Sequence, residues 1–155
     1  GVIEVAGSRL SHVANGVCHS TGEDLGARLL SLYEQLTDIV HRFAPEAAAV
    51  EQTFVNKDGA GTLKLGQARG AAICAGAAKG LPVSEYTPTQ IKQAIVGRGH
   101  ADKTQIQHMV RMLLGVTTPL QADAADAAGV AVCHIHHSRS AARMKIAAST
   151  TGRRA

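Results

Sequence analysis

With 155 residues and 45% apolar content, the chain is long enough for one domain with a buried core. Aromatic residues are scarce, at 3%, and tryptophan is absent, so alanine and glycine must fill much of the interior and helices must pack closely. The 16 Lys and Arg against 12 Asp and Glu give a net charge of +4. No apolar run approaches the ~18 residues of a membrane-spanning helix. The first residues do not read as a signal peptide, because no basic stretch precedes a long apolar one.

In chain order, Gly1–Ala6 and His12–Cys18 read as strands joined around Gly7-Ser8-Arg9, a hairpin pattern. An amphipathic helix follows over Asp24–Phe43, with Leu25, Leu29, Leu32, Leu36, Ile39 and Phe43 at three- and four-residue spacing. His41, Arg42 and Pro45 mark its end. Residues 47–51 form a short apolar run that reads as a buried strand, and a polar loop extends from Gln52 to Gly61. The next helix covers Thr62–Lys79, with Gly80 as its stop, and Leu81–Tyr86 is another strand. Strand, helix and strand in so short a stretch predict a parallel βαβ unit. Thr87-Pro88 opens a short helix to about Val96, and Gly97–His100 is a loop. Asp102 with Gln105 has the pattern of a capping box, so Asp102 reads as an N-cap rather than a ligand. That helix ends near Gly115, and Thr117-Thr-Pro-Leu120 leads into a last, apolar helix. There is no internal repeat. The fold class is α/β, a mixed sheet with a leading antiparallel hairpin, a parallel βαβ unit and helices on both faces.

The last helix carries the most informative residues. Between Gln121 and His134 the only charged residues are Asp123 and Asp126. Helical spacing of three puts both carboxylates on one face, with Cβ atoms roughly 5–6 Å apart. Like charges on an apolar helix repel and resist desolvation, so a cation between them is the natural complement. Hard oxygen ligands suit Mg²⁺ or Mn²⁺. Glu51 ends the strand at 47–51, on the edge where open α/β sheets bind ligands. Glu51, Asp123 and Asp126 are therefore the candidate metal ligands. The plain alternative is that both aspartates face solvent.

Cys18, Cys74 and Cys133 lack CxxC spacing and sit among apolar residues, which predicts reduced core thiols and a cytosolic protein. His134-Ile-His-His137 beside Cys133 admits a zinc reading, but it lacks the spacing of a structural zinc site and more simply ends the helix. Residues 138–155 hold Arg139, Arg143, Lys145, Arg153 and Arg154 and no acid, leaving 11 basic against 12 acidic residues in the rest. This segment reads as a flexible basic tail. Gly66 and Gly70, with Ala71, Ala77 and Ala78, leave little bulk on the helix at 62–79, which suits either a dimer contact or close packing on its own sheet.

Several blocks occur in a telling order: Ala49-Val-Glu-Gln52, Leu63-Lys-Leu-Gly-Gln-Ala-Arg-Gly70, Val96-Gly-x-Gly99, Asp102-Lys103, His108-Met-Val-Arg111 and Gln121-Ala-Asp-Ala-Ala-Asp-Ala127. Over roughly residues 1–137 the chain resembles the RuvC family of bacterial Holliday-junction resolvases. The resemblance implies a ribonuclease-H-like fold, a homodimer and a structure-selective endonuclease. Such an enzyme nicks four-way DNA junctions symmetrically in recombination and repair, with four carboxylates holding divalent ions. Glu51, Asp123 and Asp126 would be three of the four. The resemblance also implies that Phe54 meets bases near the junction, and that Lys92 and Lys103 lie near the scissile phosphate and the DNA backbone. Lys64, Arg69 and Arg98 would add phosphate contacts; their alternative is solvated surface. An apolar Phe54 ring in a polar loop suits stacking or wedging, or folds back on the adjoining helix. A branch-migration helicase complex is a candidate partner. The family's first strand, with its first catalytic aspartate, has no counterpart here, so an upstream strand and a fourth carboxylate are expected in the natural protein. The rival readings are a non-catalytic junction-binding module and a ribonuclease-H-like nuclease with another substrate.

Overall fold

The computed structural model describes residues 1–52, 58–97, 102–118 and 120–151, with the backbone alone described for 141–151. Strands β1 (Val2–Ala6) and β2 (Arg9–Ala14) form the antiparallel hairpin. Gly7, at φ +57°, supplies the left-handed residue that a two-residue turn needs, so Arg9 pairs at once with Ala6. Pairing therefore starts three residues earlier than the sequence reading placed it. It ends at Val2 with Ala14, where β1 runs out, rather than at Cys18.

Helix α1 (Leu25–Phe43) is capped by Asp24, whose side chain accepts from the Ala27 amide. It ends at Ala44, in the left-handed region just before Pro45. Its apolar stripe lies against α2 (Gly59–Ala77). The α2 helix starts earlier than expected because the Asp58 side chain caps the Gly61 amide. Strands β3 (Ala48–Glu51) and β4 (Val83–Tyr86) flank α2 and pair in parallel, from Ala48 with Val83 to Glu51 with Tyr86. The βαβ unit is therefore present. The two strand pairs are not hydrogen-bonded to each other among the described residues.

Alternation along β3 and β4 decides what each sheet face meets. On one face, Ala48 and Val83 approach Gly76 of α2, where a Cβ would lie 3.1 Å from Val83 Cγ2. Close packing of α2 on its own sheet thus holds at Gly76. At Gly66 and Gly70 a Cβ would meet nothing within 4 Å, so the small residues there do not serve that packing. On the opposite face, Ala49 joins the core and Glu51 and Tyr86 stand at the strand ends.

The core lies where α3 (Pro88–Val96), α4 (Lys103–Leu114) and α5 (Ala122–Thr151) meet. Ile91, Ile95, Ile106, Val110 and Leu114 close on Ala128, Val132 and Cys133. Gly129 lets α5 approach: a Cβ there would stand 3.0 Å from Ile95 Cδ1 and 3.5 Å from Val110 Cγ2. Thr87 forms a reciprocal capping box with Gln90, and the Asp102 carboxylate accepts from the Gln105 amide, so Asp102 is spent on capping as expected.

Two expectations are corrected. The last helix does not stop at His134–His137 but continues to Thr151. Alanines with Arg143, Met144 and Lys145 favour helix, and no glycine or proline intervenes before Gly152. Of the cysteines, Cys133 is fully buried, Cys18 is partly buried and Cys74 is exposed. The α2 helix buries Ala75 and Gly76 and turns its neighbour Cys74 outward. The histidine cluster lies within the helix and packs on Tyr86: His134 Nδ1 and the Tyr86 hydroxyl share a 3.0 Å hydrogen bond, and His137 stacks on the Tyr86 ring at 5.1 Å.

Candidate metal and phosphate site

The carboxyl end of β3 presents Glu51 to the first turns of α5. Asp126 projects there, and the Lys103 ammonium, at the first turn of α4, lies 3.1 Å from its Oδ2. Burial pushes the Glu51 carboxyl above its ordinary value, and the negative charge of Asp126 adds to the rise. Lys92 of α3 and Lys103 oppose it. Four elements thus bring two acids and two cations into one field: β3, α3, α4 and α5.

The electrostatics follow from where the chain ends each element. Glu51 is solvent-accessible, yet enough protein surrounds it to penalise its charge. The Lys103–Asp126 pair is itself exposed, at 62% and 40%, so it is a weak and exchangeable contact. Lys103 occupies the place that a cation brought by a ligand could take.

Asp123 is not ion-paired to this group. It lies in the first turn of α5, exposed, one turn before Asp126. Among the described residues no three His, Cys, Asp or Glu side chains are already gathered as a metal cage. The donor chemistry still fits a hard divalent cation. Glu51 and Asp126 are carboxylates whose mutual repulsion is opposed by Lys92 and Lys103.

Of the other predicted residues, Lys64 is exposed on α2. The Arg69 guanidinium is 2.5 Å from the Glu85 carboxylate and ties α2 to β4. Glu85 alternates with Tyr86, so this pair lies on the sheet face opposite Glu51. The sequence holds no pattern linking residues 69 and 85, because only the parallel register brings them together. Phe54 and Arg98 lie outside the described residues. Sequence reasoning missed the tyrosine–histidine contact at the back of the site. There burial, with His137 nearby, lowers the His134 pKa.

A family model described as crossover junction endodeoxyribonuclease RuvC matches residues 1–134. Curated relatives carrying the same description include one from Ruegeria pomeroyi, 59% identical over 137 residues, covering 88% of this chain and 83% of the relative. One from Cereibacter sphaeroides is 57% identical over 153 residues, covering 99% and 91%. Among solved structures, T. thermophilus RuvC in complex with a Holliday junction substrate superposes with a TM-score of 0.83 at 32% identity, covering 90% of this chain and 86% of that one. A structure of Thermus thermophilus RuvC gives a TM-score of 0.79 over the same shares.

Proposed function

The chain belongs to the RuvC family of crossover junction endodeoxyribonucleases, and from that membership we propose that it resolves four-way DNA junctions through a site built on Glu51, Asp123 and Asp126. The fold is the ribonuclease-H-like one of its structural neighbours. The observation that carries the reading is the convergence of Glu51 and Asp126 with Lys92 and Lys103 at the carboxyl end of β3.

A divalent metal goes with this family of nucleases. Glu51 and Asp126 are the first two ligands, and Asp123 completes the set if the α5 N-terminus turns toward them. Mg²⁺ or Mn²⁺, with two ions per site, is our assignment from the hard oxygen donors. When bound, the metal lowers the pKa of a water and offsets charge on the leaving 3′ oxygen. The chain's own residues do the rest. Glu51 and Asp126 hold their position through β3 and the packed core of α5. Lys103 can leave Asp126 for a phosphate oxygen, since its present contact is weak. Lys92 adds positive potential from a third direction. Each of these favours a phosphodiester over a neutral ligand.

Lys64 belongs to the proposed DNA surface. Phe54 is kept in it on family resemblance, and Arg98 as a candidate phosphate contact. Arg69 stays a candidate phosphate contact, paired with Glu85 on the sheet face away from Glu51. A four-way junction has near-twofold symmetry, so we assign a homodimer that presents two sites to two opposed strands. Exposed Leu63 and Leu65 on α2, at 63% and 61%, beside the open Gly66 and Gly70, support α2 as the dimer element. A branch-migration helicase complex and a cytoplasmic location complete the assignment. No helix among the described residues is long and apolar enough to cross a membrane.

The test is nicking of a synthetic four-way junction by the full-length protein with and without Mg²⁺, in competition with hairpin, linear duplex and RNA–DNA hybrid. Metal-dependent nicks in two opposed strands, sealable by ligase, are expected. Binding without nicking would instead make it a junction-binding module. Preference for the hybrid would make it a nuclease for another substrate.

A further inference from the structure

A second cationic feature lies at the far end of the α4–α5 pair. The N-terminal turns of both helices meet at Lys103 and Asp126. Their later parts meet again around Met112 and His136, beside the β1–β2 turn. An open cleft of about 360 Å³ lies there, lined by Ser8, Arg9, Met112, Gly115, His136 and Arg139 among others. A second hollow of about 380 Å³ adjoins it at Arg9 and extends past His12 to Thr117 and Thr118. No acidic side chain lines either hollow. Arg139 donates to the Gly7 carbonyl, which fixes one guanidinium beside the hairpin turn, while Arg9 is exposed.

The ground between the two sites is also cationic. Residues 103–118 contain no Asp or Glu. Lys103 and His108 are exposed along α4, and Arg111 is partly exposed. The last carbonyls of α4 are occupied by the Gly115 and Val116 amides, which blunts the negative helix end at the cleft. The hollows are shallow and open, so they suit a passing polyanion better than an enclosed small molecule. Arginine forks and neighbouring hydroxyls suit phosphate oxygens.

We propose that this cleft holds the phosphate backbone of one arm of the junction, with Arg9 and Arg139 as its cations. The inference rests on the junction-resolving function proposed above and extends it along the duplex. Asp126 and the stretch from His136 to Arg139 are ten to thirteen residues apart on one helix, about 15–20 Å at 1.5 Å per residue. At ~3.4 Å per base pair, the contact falls about four to six base pairs from the cleaved phosphate.

The experiment measures junction affinity of the full-length protein in EDTA over a series of salt concentrations. The unaltered protein is compared with Arg9→Gln and with Ser8→Asp, which puts a negative charge at the exposed turn without touching Arg9. Both variants should bind about three- to tenfold more weakly, and Arg9→Gln should reduce the slope of log affinity against log salt by about 0.9. Methylphosphonate linkages four to six base pairs from the cleaved phosphate should weaken binding of the unaltered protein more than binding of Arg9→Gln, in which the Arg9 share of the contact is already lost and only that of Arg139 remains. Unchanged affinity and slope in both variants, beside intact metal-dependent nicking, would overturn the cleft alone and leave it to another occupant, such as an acidic protein segment. Failure of the unaltered protein to bind a junction at all would overturn the family-based function along with it.

Discussion

Glu51→Gln keeps the shape of the side chain and removes one charge, so it separates electrostatics from packing. In the folded protein burial and Asp126 both raise the Glu51 carboxyl above 4.5, against the opposing pull of Lys92 and Lys103. The folded state then holds this proton more tightly than the unfolded chain. Stability falls as pH rises from the ordinary value through the raised one, and stays lower above it. Glutamine cannot ionise, so the metal-free variant should be the more stable protein at pH 8, and the difference should vanish near pH 4. Because Glu51 is solvent-accessible, the gain is that of a screened surface charge, about 0.3–1 kcal/mol. For a chain of 155 residues this raises Tm by about 1–3 °C. Thermal melting in EDTA at the two pH values measures it. The same variant should keep its junction affinity and lose at least about a hundredfold in Mg²⁺-dependent cleavage, the scale of losing one organising charge. A lower Tm at pH 8, or cleavage within tenfold of the unaltered protein, would refute the argument that Glu51 is a strained metal ligand.

Three further outcomes are expected. Lys103→Ala should change stability by less than ~1 kcal/mol, because its partner Asp126 is exposed, yet it should slow junction cleavage and lower the salt slope by about 0.9; an unchanged slope would put Lys103 off the DNA. Gly129→Ala should be nearly neutral, since about 1 kcal/mol of helix propensity offsets a contact with the mobile end of Ile95, whereas Gly129→Val should cost about 1–3 kcal/mol in chemical denaturation by crowding Val110 as well; equal losses would mean that α5 does not approach α3 and α4 as closely as described. Tyr86→Phe should lower stability by about 1 kcal/mol by breaking the His134 hydrogen bond, with cleavage nearly retained; a tenfold loss of cleavage would make Tyr86 part of the working site.

The local features of the chain were legible without coordinates, because short-range chemistry sets them. Leucine spacing places α1, Thr87-Pro88 and Asp102 start their helices, and Gly7 turns the hairpin. Helical spacing and an apolar run ending in an acid single out Asp123, Asp126 and Glu51, and the ordered blocks identify the family. Boundaries were less legible where the deciding partner is a few residues away, as with Asp58 capping α2 or the alanine-rich continuation of α5. Tertiary structure alone decided how the charges are shared. Lys103 reaches Asp126, while Arg69 is taken by Glu85 on the other sheet face, because alternation in parallel strands sends residues 85 and 86 to opposite sides. It also turned His134 to Tyr86 and gathered Arg9, His136 and Arg139 from distant parts of the chain into one cleft. Periodicity fixes which face of an element is apolar, but which polar groups meet across elements depends on register and helix approach, set here by small residues such as Gly76 and Gly129.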